Sequence, residues 1–206
     1  LVTQGIDSAK TWSPPPNRKS LSPSPPVLPD PDPSARIVLS ARLSPPPVYV
    51  QSENGVSELP ADRLKGPLLI NLWASWCAPC ISELREWTAA ESRIRSKGLR
   101  IHVLNADPEN PIAAKRALAK LKFPFDADNT TPQTVRNLDL FQRSLLDRWL
   151  SMPVPGSFLL DRYGHVAVIY KGPVSVDQLL DDVDLLDASP EVWRDHSVPF
   201  PGQWVG

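Results

Sequence analysis

Two cysteines, three histidines and a net charge of −1 are all that 206 residues offer to metal, haem or polyanion chemistry. A structural zinc site takes four ligands, commonly with a second Cys pair or a His pair. Here no cysteine exists beyond Cys77 and Cys80, and His102, His165 and His196 are scattered singly. Covalent haem attachment at a C-x-x-C pair needs a histidine directly after the second cysteine, and that residue is Ile81. The near balance of charge gives no basic face for nucleic acid or for an acidic membrane surface. A membrane span needs about 18 or more consecutive apolar residues, and no such run is found; no signal peptide is expected in this stretch either. The chain opens at Leu1 with linker-like sequence at both ends, so it is expected to be a mature form or a domain of a longer polypeptide.

The two cysteines that do occur are placed together, in Trp76-Cys77-Ala78-Pro79-Cys80. Before them, Leu68-Leu69-Ile70-Asn71-Leu72-Trp73 reads as a buried strand. After them, Ile81-Ser82-Glu83-Leu84-Arg85-Glu86-Trp87 reads as the start of an amphipathic helix. Cys77 is therefore expected at the helix N-cap, where unpaired backbone N–H groups and the positive end of the helix dipole favour a thiolate. C-x-x-C thiols in this setting have pKa values of about 3.5 to 7.5. Cys80, one turn further in, is the less exposed partner. The roles follow: Cys77 attacks a partner sulfur and Cys80 resolves the mixed disulfide. Pro79 suits the first turn, where a missing N–H goes unnoticed. A purely structural bridge over two intervening residues closes too short a loop to constrain the unfolded chain much, so the pair reads as a redox dithiol.

Along the chain, residues 1–47 hold 12 of the 25 prolines and read as an extension or linker of extended backbone. Within it, 36–43 alone has strand character, either docking as an edge strand or belonging to something upstream. A single domain is expected over 48–188, with elements alternating as in an α/β fold. After the strand at 68–73 come a helix from Ala78 to about Ser96, a strand at 99–104 and a helix from Pro111 to about Lys122. A helix over 133–149, a hairpin of 157–160 and 166–170 turning at 161–164, and a closing helix over 176–186 complete it. The tail 189–206 reads as irregular. Asn129-Thr130-Thr131 matches a glycosylation sequon, a tripeptide common by chance. His102 reads as structural, and His165 as solvent-facing.

Three segments resemble the TlpA/ResA-like thioredoxins, extracytoplasmic bacterial thiol-disulfide oxidoreductases. They are Asn71-Leu72-Trp73-Ala74-Ser75-Trp76-Cys77-Ala78-Pro79-Cys80 with Glu83 following, Pro155-Gly156-Ser157-Phe158-Leu159-Leu160-Asp161-Arg162-Tyr163-Gly164, and Tyr170-Lys171-Gly172. The resemblance covers about residues 47 to 188. It implies a thioredoxin-like fold, a central mixed β-sheet flanked by helices. It also implies exchange with protein dithiols and disulfides, supplied by an upstream electron donor. A reductase role outside the cytoplasm follows from it as well. No cofactor is implied beyond the Cys77–Cys80 disulfide itself.

Glu83 lies three residues after Cys80 and so comes round to the same side of the helix. By spacing alone it is either a solvated surface glutamate or the carboxylate that takes the Cys80 proton. Many thioredoxins carry an aspartate six residues before the first cysteine; Asn71 stands there and cannot titrate. The resembled family shares that exchange and keeps a glutamate at the place of Glu83, which favours the proton acceptor. The resemblance further implies that Pro155 is cis, turning the Val154 backbone toward an extended substrate strand. Trp76 is expected to flank Cys77 as a flat contact surface, with Trp73 and Trp87 in the core. An alternative of another class is an interaction or sensing module in which the dithiol switches a binding surface.

Overall fold

The computed structural model describes residues 35–52, 55–59, 66–146 and 151–197; residues 1–34, 147–150 and 198–206, which hold most of the proline-rich extension, the end of the helix expected at 133–149 and the last part of the tail, lie outside them. Eight strands form one sheet among these residues. In chain order they are β1 (Ala35–Leu43), β2 (Tyr49–Ser52), β3 (Gly55–Glu58), β4 (Leu68–Trp73), β5 (Arg100–Asn105), β6 (Asp126–Thr130), β7 (Gly156–Leu160) and β8 (Val166–Lys171). Their order across the sheet is β1-β8-β7-β4-β5-β6-β2-β3. Strands β4, β5 and β6 run parallel, while β7 is antiparallel to β4 and β8 and β1 continue antiparallel beyond it. This is the mixed sheet that the resemblance implies.

Helices cover both faces, which is why every residue of β4 is buried. On one face Leu69, Trp73, Val103, Leu159 and Val168 pack against α1 (Ala78–Ala89), α2 (Glu91–Ser96) and α5 (Val176–Leu185) through Leu84, Trp87, Ile94, Leu179 and Val183. On the other, Leu68, Ile70, Leu72, Leu104, Phe158 and Leu160 meet Leu138 of α4 (Pro132–Leu145). The helix α3 (Pro111–Leu121) enters between β5 and β6. Trp73 and Trp87 are both fully buried, as expected of core residues.

Several elements differ from the sequence expectation. The helix expected over 78–96 is two helices, broken at Ala90 (φ −99°, ψ 14°), a residue with no breaker chemistry to betray the break. Strand β6, Asp-Ala-Asp-Asn-Thr, was not foreseen, because it has no apolar alternation; it is specified by its parallel pairing with β5. The segment 36–43 docks as a strand: β1 pairs with β8, Arg36 opposite Tyr170 and Val38 opposite Val168. The packed region thus starts before residue 48.

It also extends past residue 188. The expected irregular tail contains α6 (Pro190–His196), capped by Ser189 and opened by a proline at its first turn. Its Trp193 is buried, and Nε1 donates to the carbonyl of Leu39 (2.9 Å) while the Arg42 guanidinium lies 4.5 Å over the ring. That indole occupies a carbonyl on the outer strand of the sheet, where an unpaired edge invites association.

Strand β1 is further held by a buried carboxylate. Asp182 of α5, fully buried, accepts from Arg36 Nε (2.9 Å) and Tyr170 Oη (2.6 Å), with Arg36 Nη2 closing the fork. Removing one member of such a pair strands the others without partners. Because the Arg36 side chain keeps 29% exposure and can turn to water, Asp182→Ala is expected to cost about 2–4 kcal/mol in urea unfolding. A change below about 0.5 kcal/mol would show that β1 is held by its ladder alone.

Candidate active site

Strand β4 ends at Trp73 and the chain turns at once. Cys77 N donates to Ala74 O (3.1 Å), which places Ser75 and Trp76 at the turn and Cys77 at the N-cap of α1. Cys77 has extended dihedrals (φ −84°, ψ 103°), and its Sγ accepts from the backbone N–H of Cys80 at 3.2 Å. That is the N-cap bond normally made by a serine or aspartate oxygen. Here it directs a backbone donor at Sγ, which would favour a negative charge there. Cys77 and Cys80 are joined as a disulfide. Cys77 retains 4% exposure and Cys80 none, so only Cys77 meets solvent.

Trp76 is 70% exposed beside the pair, its Nε1 donating to Asp107 Oδ2 at 3.2 Å. Asp107 itself is fixed by Asn105, the last residue of β5, which bonds both its N–H and its carbonyl. No feature of the sequence marks Asp107 for this task except its place just past a parallel strand's carboxyl end.

Across the disulfide lies the only cis peptide bond among the described residues, Val154–Pro155. The Val154 carbonyl oxygen is 3.6 Å from Cys77 Sγ. A disulfide sulfur has no proton to donate, so this is a contact that becomes a hydrogen bond only in the dithiol. The loop is held from several sides. Gly172 N–H donates to Pro155 O (3.0 Å), and Met152 N–H to Asp139 Oδ1 (2.7 Å). Arg143, whose Nε is 2.9 Å from Asp139, reaches Ser151 Oγ at 2.6 Å. Gly156 is required by space: a Cβ there would stand 2.7 Å from the Pro153 carbonyl oxygen. Asp139 and Arg143 sit one turn apart on α4, a pattern the sequence shows on many surface helices, so their grip on this loop was not legible.

Glu83 is not the solvated helix glutamate of the alternative reading, for it is 2% exposed. Its Oε1 accepts from Val174 N–H (2.8 Å) and its Oε2 from Asn71 Nδ2 (3.1 Å). Burial pushes its carboxyl up to about 8, against the two hydrogen bonds, which pull it down. Asn71 also donates to Ser157 Oγ (2.9 Å), its neighbour in register on β7. The remaining sequence candidates lie elsewhere. His102 faces Asp128 at 3.0 Å, and His165 is 3.9 Å from Asp161. The side chains of Asn129, Thr130 and Thr131 are all engaged in the fold, with Asn105 Nδ2, Asn105 O and Thr134 N respectively. Among the described residues no group of His, Cys, Asp and Glu is placed to hold a metal ion, and no helix is long and apolar enough to cross a membrane.

This geometry has relatives. Residues 53–186 match the model of the Redoxin family. The chain belongs to that family, in its TlpA/ResA-like thioredoxin branch. It is 29% identical over 136 residues to the thiol-disulfide oxidoreductase ResA of Bacillus cereus, covering 65% of this chain and 71% of that one. It is 31% identical over 149 residues to a thiol:disulfide interchange protein DsbE homolog of Paracoccus denitrificans, covering 70% and 73%. A thioredoxin-family thiol:disulfide interchange protein of Chlorobium tepidum has a similar fold (TM-score 0.58, 20% identity, 71% of this chain and 97% of that one). The protein is thus a thioredoxin-like thiol-disulfide oxidoreductase.

If Asp139 sets the height of the cis-proline loop, Asp139→Ala loosens substrate pairing and leaves the dithiol alone. A three- to tenfold rise in KM for a protein disulfide is expected, with an unchanged reduction potential and a stability loss of about 1–2 kcal/mol. An unchanged KM would show that the loop is positioned without α4.

Proposed function

We propose that this protein reduces disulfides in partner proteins outside the cytoplasm. The Cys77 thiolate attacks one sulfur of the partner's disulfide, forming a mixed disulfide and releasing the other sulfur as a thiolate. Cys80 then loses its proton to the Glu83 carboxylate and attacks Cys77 Sγ. The mixed disulfide breaks, the Cys77–Cys80 disulfide forms, and the partner leaves as a dithiol with two electrons gained. An upstream dithiol donor returns the pair to the reduced state. The observation that carries this reading is the buried Glu83, one turn beyond a fully buried Cys80 on the same helix. A thiol without water needs a base without water, and a carboxyl raised to about 8 is close in proton affinity to a free thiol at about 8.5.

Substrate recognition is assigned to the Val154–Pro155 backbone, which would pair with an extended segment, and to exposed Trp76 on the other side of Cys77. The direction of electron flow and the extracytoplasmic site rest on the resemblance to the TlpA/ResA-like family. A reductase needs a potential more negative than about −200 mV, and a value near −120 mV would make the pair an oxidant instead.

A Cys80→Ser variant is expected to accumulate stable mixed disulfides through Cys77 that reducing agent reverses. Absence of such adducts, together with no reduction of insulin by the wild-type dithiol, would refute the enzymatic cycle. Glu83→Gln tests the acceptor. Release of mixed disulfides by the wild type should accelerate as pH rises through about 8, and in the variant that step should be lost. The stability of the oxidised protein gives a second measure. The folded carboxyl titrates near 8 against 4.5 ordinarily, so its contribution is full below about pH 4.5 and is lost as pH rises through about 8. Glu83→Gln should therefore gain on the wild type across that window, by roughly 3–5 kcal/mol at its alkaline end.

A further inference from the structure

Asn71 interrupts the otherwise apolar strand β4, and its hydrogen bonding is one-sided. Its Nδ2 serves both neighbours, Glu83 Oε2 at 3.1 Å and Ser157 Oγ at 2.9 Å, while its Oδ1 is buried with no partner among the described residues. Such an arrangement suits a carboxylate and fails for the acid. A proton on Glu83 is disfavoured on Oε1, because the Val174 N–H that faces that oxygen at 2.8 Å belongs to the main chain and bonds more strongly to an unprotonated oxygen. On Oε2 it competes with the N–H of Asn71, which is a donor aimed at the same oxygen. A half-turn of the amide removes the conflict. Oδ1 then takes the place of Nδ2 and accepts from Glu83, and also from the Ser157 hydroxyl, which donates as readily as it accepts.

We propose that Asn71 is a positioning residue whose side-chain amide turns over with the protonation state of Glu83, offering Nδ2 to the carboxylate and Oδ1 to the acid. The proposal rests on the reading of Glu83 as proton acceptor for Cys80 and explains how one uncharged neighbour serves both of its states. In either orientation one end of the amide is unsatisfied, Oδ1 in one and Nδ2 in the other, so the two carry comparable penalties. Aspartate at this position would add a second charge, and a leucine would partner neither state. Of the other groups near Glu83 on α1, Cys80 a turn before it is closed in the disulfide, and Glu86 a turn after it is exposed and raises its proton affinity. In register on the same face, Tyr170 of β8 is closed on Asp182 of α5 and Arg36 of β1.

The test is side-chain NMR of the oxidised wild type, with Glu carboxyl carbons and Asn amide nitrogens isotope-labelled, from about pH 5 to about pH 10. The Asn71 amide resonances are expected to move with the same midpoint as the Glu83 carboxyl carbon. The cross-relaxation between the Asn71 amide protons and Ser157 should be present at high pH and lost at low pH. In Glu83→Gln, whose Nε2 donates to Oδ1 at every pH, the Asn71 resonances should stay at the wild type's acid limit. A Glu83 carboxyl that titrates while the Asn71 amide stays still overturns the turnover and leaves Glu83 as acceptor. A Glu83 carboxyl that does not titrate in this range overturns the acceptor itself.

Asn71→Leu adds a kinetic readout. A hydrogen bond to a charged group is roughly twice as strong as a neutral one, so the carboxylate loses more than the acid and the midpoint of mixed-disulfide release moves up. Release at pH 7 should fall about three- to tenfold and recover at high pH. A fall of equal size at every pH would mark a merely structural role and count against the proposal.

Discussion

Glu83 sits between α1 and the sheet with two hydrogen bonds and almost no water, and the surrounding structure is arranged so that a titratable group can stay there. A carboxylate taken out of water costs several kcal/mol unless donors meet it. One donor is the backbone of Val174, in the loop between β8 and α5; the other is the amide of Asn71 in mid-strand. Two donors reduce the penalty without cancelling it, and the residue of that imbalance is the raised proton affinity. The polar break in β4, which by strand propensity alone is a defect, is therefore a condition of the site.

The two sides of the dithiol are carried by different layers. Cys77, Cys80 and Glu83 belong to α1, whose buried residues pack on one face of the sheet. The cis-proline loop is gripped by Asp139 and Arg143 of α4, whose Leu138 packs on the other face. The sheet is what relates them. Ser157 follows the cis proline by two residues, pairs with Asn71 in register and accepts its amide hydrogen bond. A shift of β7 by one residue would carry Ser157 to the opposite face, and the substrate-facing loop would move with it. The β4–β7 register thus fixes both the hydrogen-bond partner of Glu83 and the place of the cis-proline loop.

What could be read from the sequence follows from which signals are local. The C-x-x-C pair between an apolar strand and an amphipathic helix announces an N-cap at Cys77, and Leu68–Trp73 announces its double burial by composition. Glu83 was ambiguous for a physical reason. Spacing places it on the side of Cys80, but whether that side is wet depends on Val174, 91 residues away. Strand β6 and helix α6 failed for the same kind of reason. The first is polar and takes its conformation from pairing with β5; the second is ordered by Trp193 reaching the carbonyl of Leu39. Asp107, Asp139 and Arg143 act through hydrogen bonds to segments distant in sequence or to main-chain groups, which leave no periodic trace.

Placing the carboxyl on the helix rather than on the strand has a consequence for the reaction. On α1, Glu83 and Cys80 are three residues apart on one helix, so in the proposed cycle the carboxyl and the thiol it would serve belong to the same element. A carboxyl on β4 would belong to a different element from the thiol. The strand position is then left to a group that must answer the carboxyl without competing for the proton. A carboxamide meets that demand because it presents a donor and an acceptor at the same reach and has no charge to lose. Asn71 and Glu83 are bonded across strand and helix, so the proposed proton acceptor shares the dithiol's helix while its neutral partner belongs to the sheet.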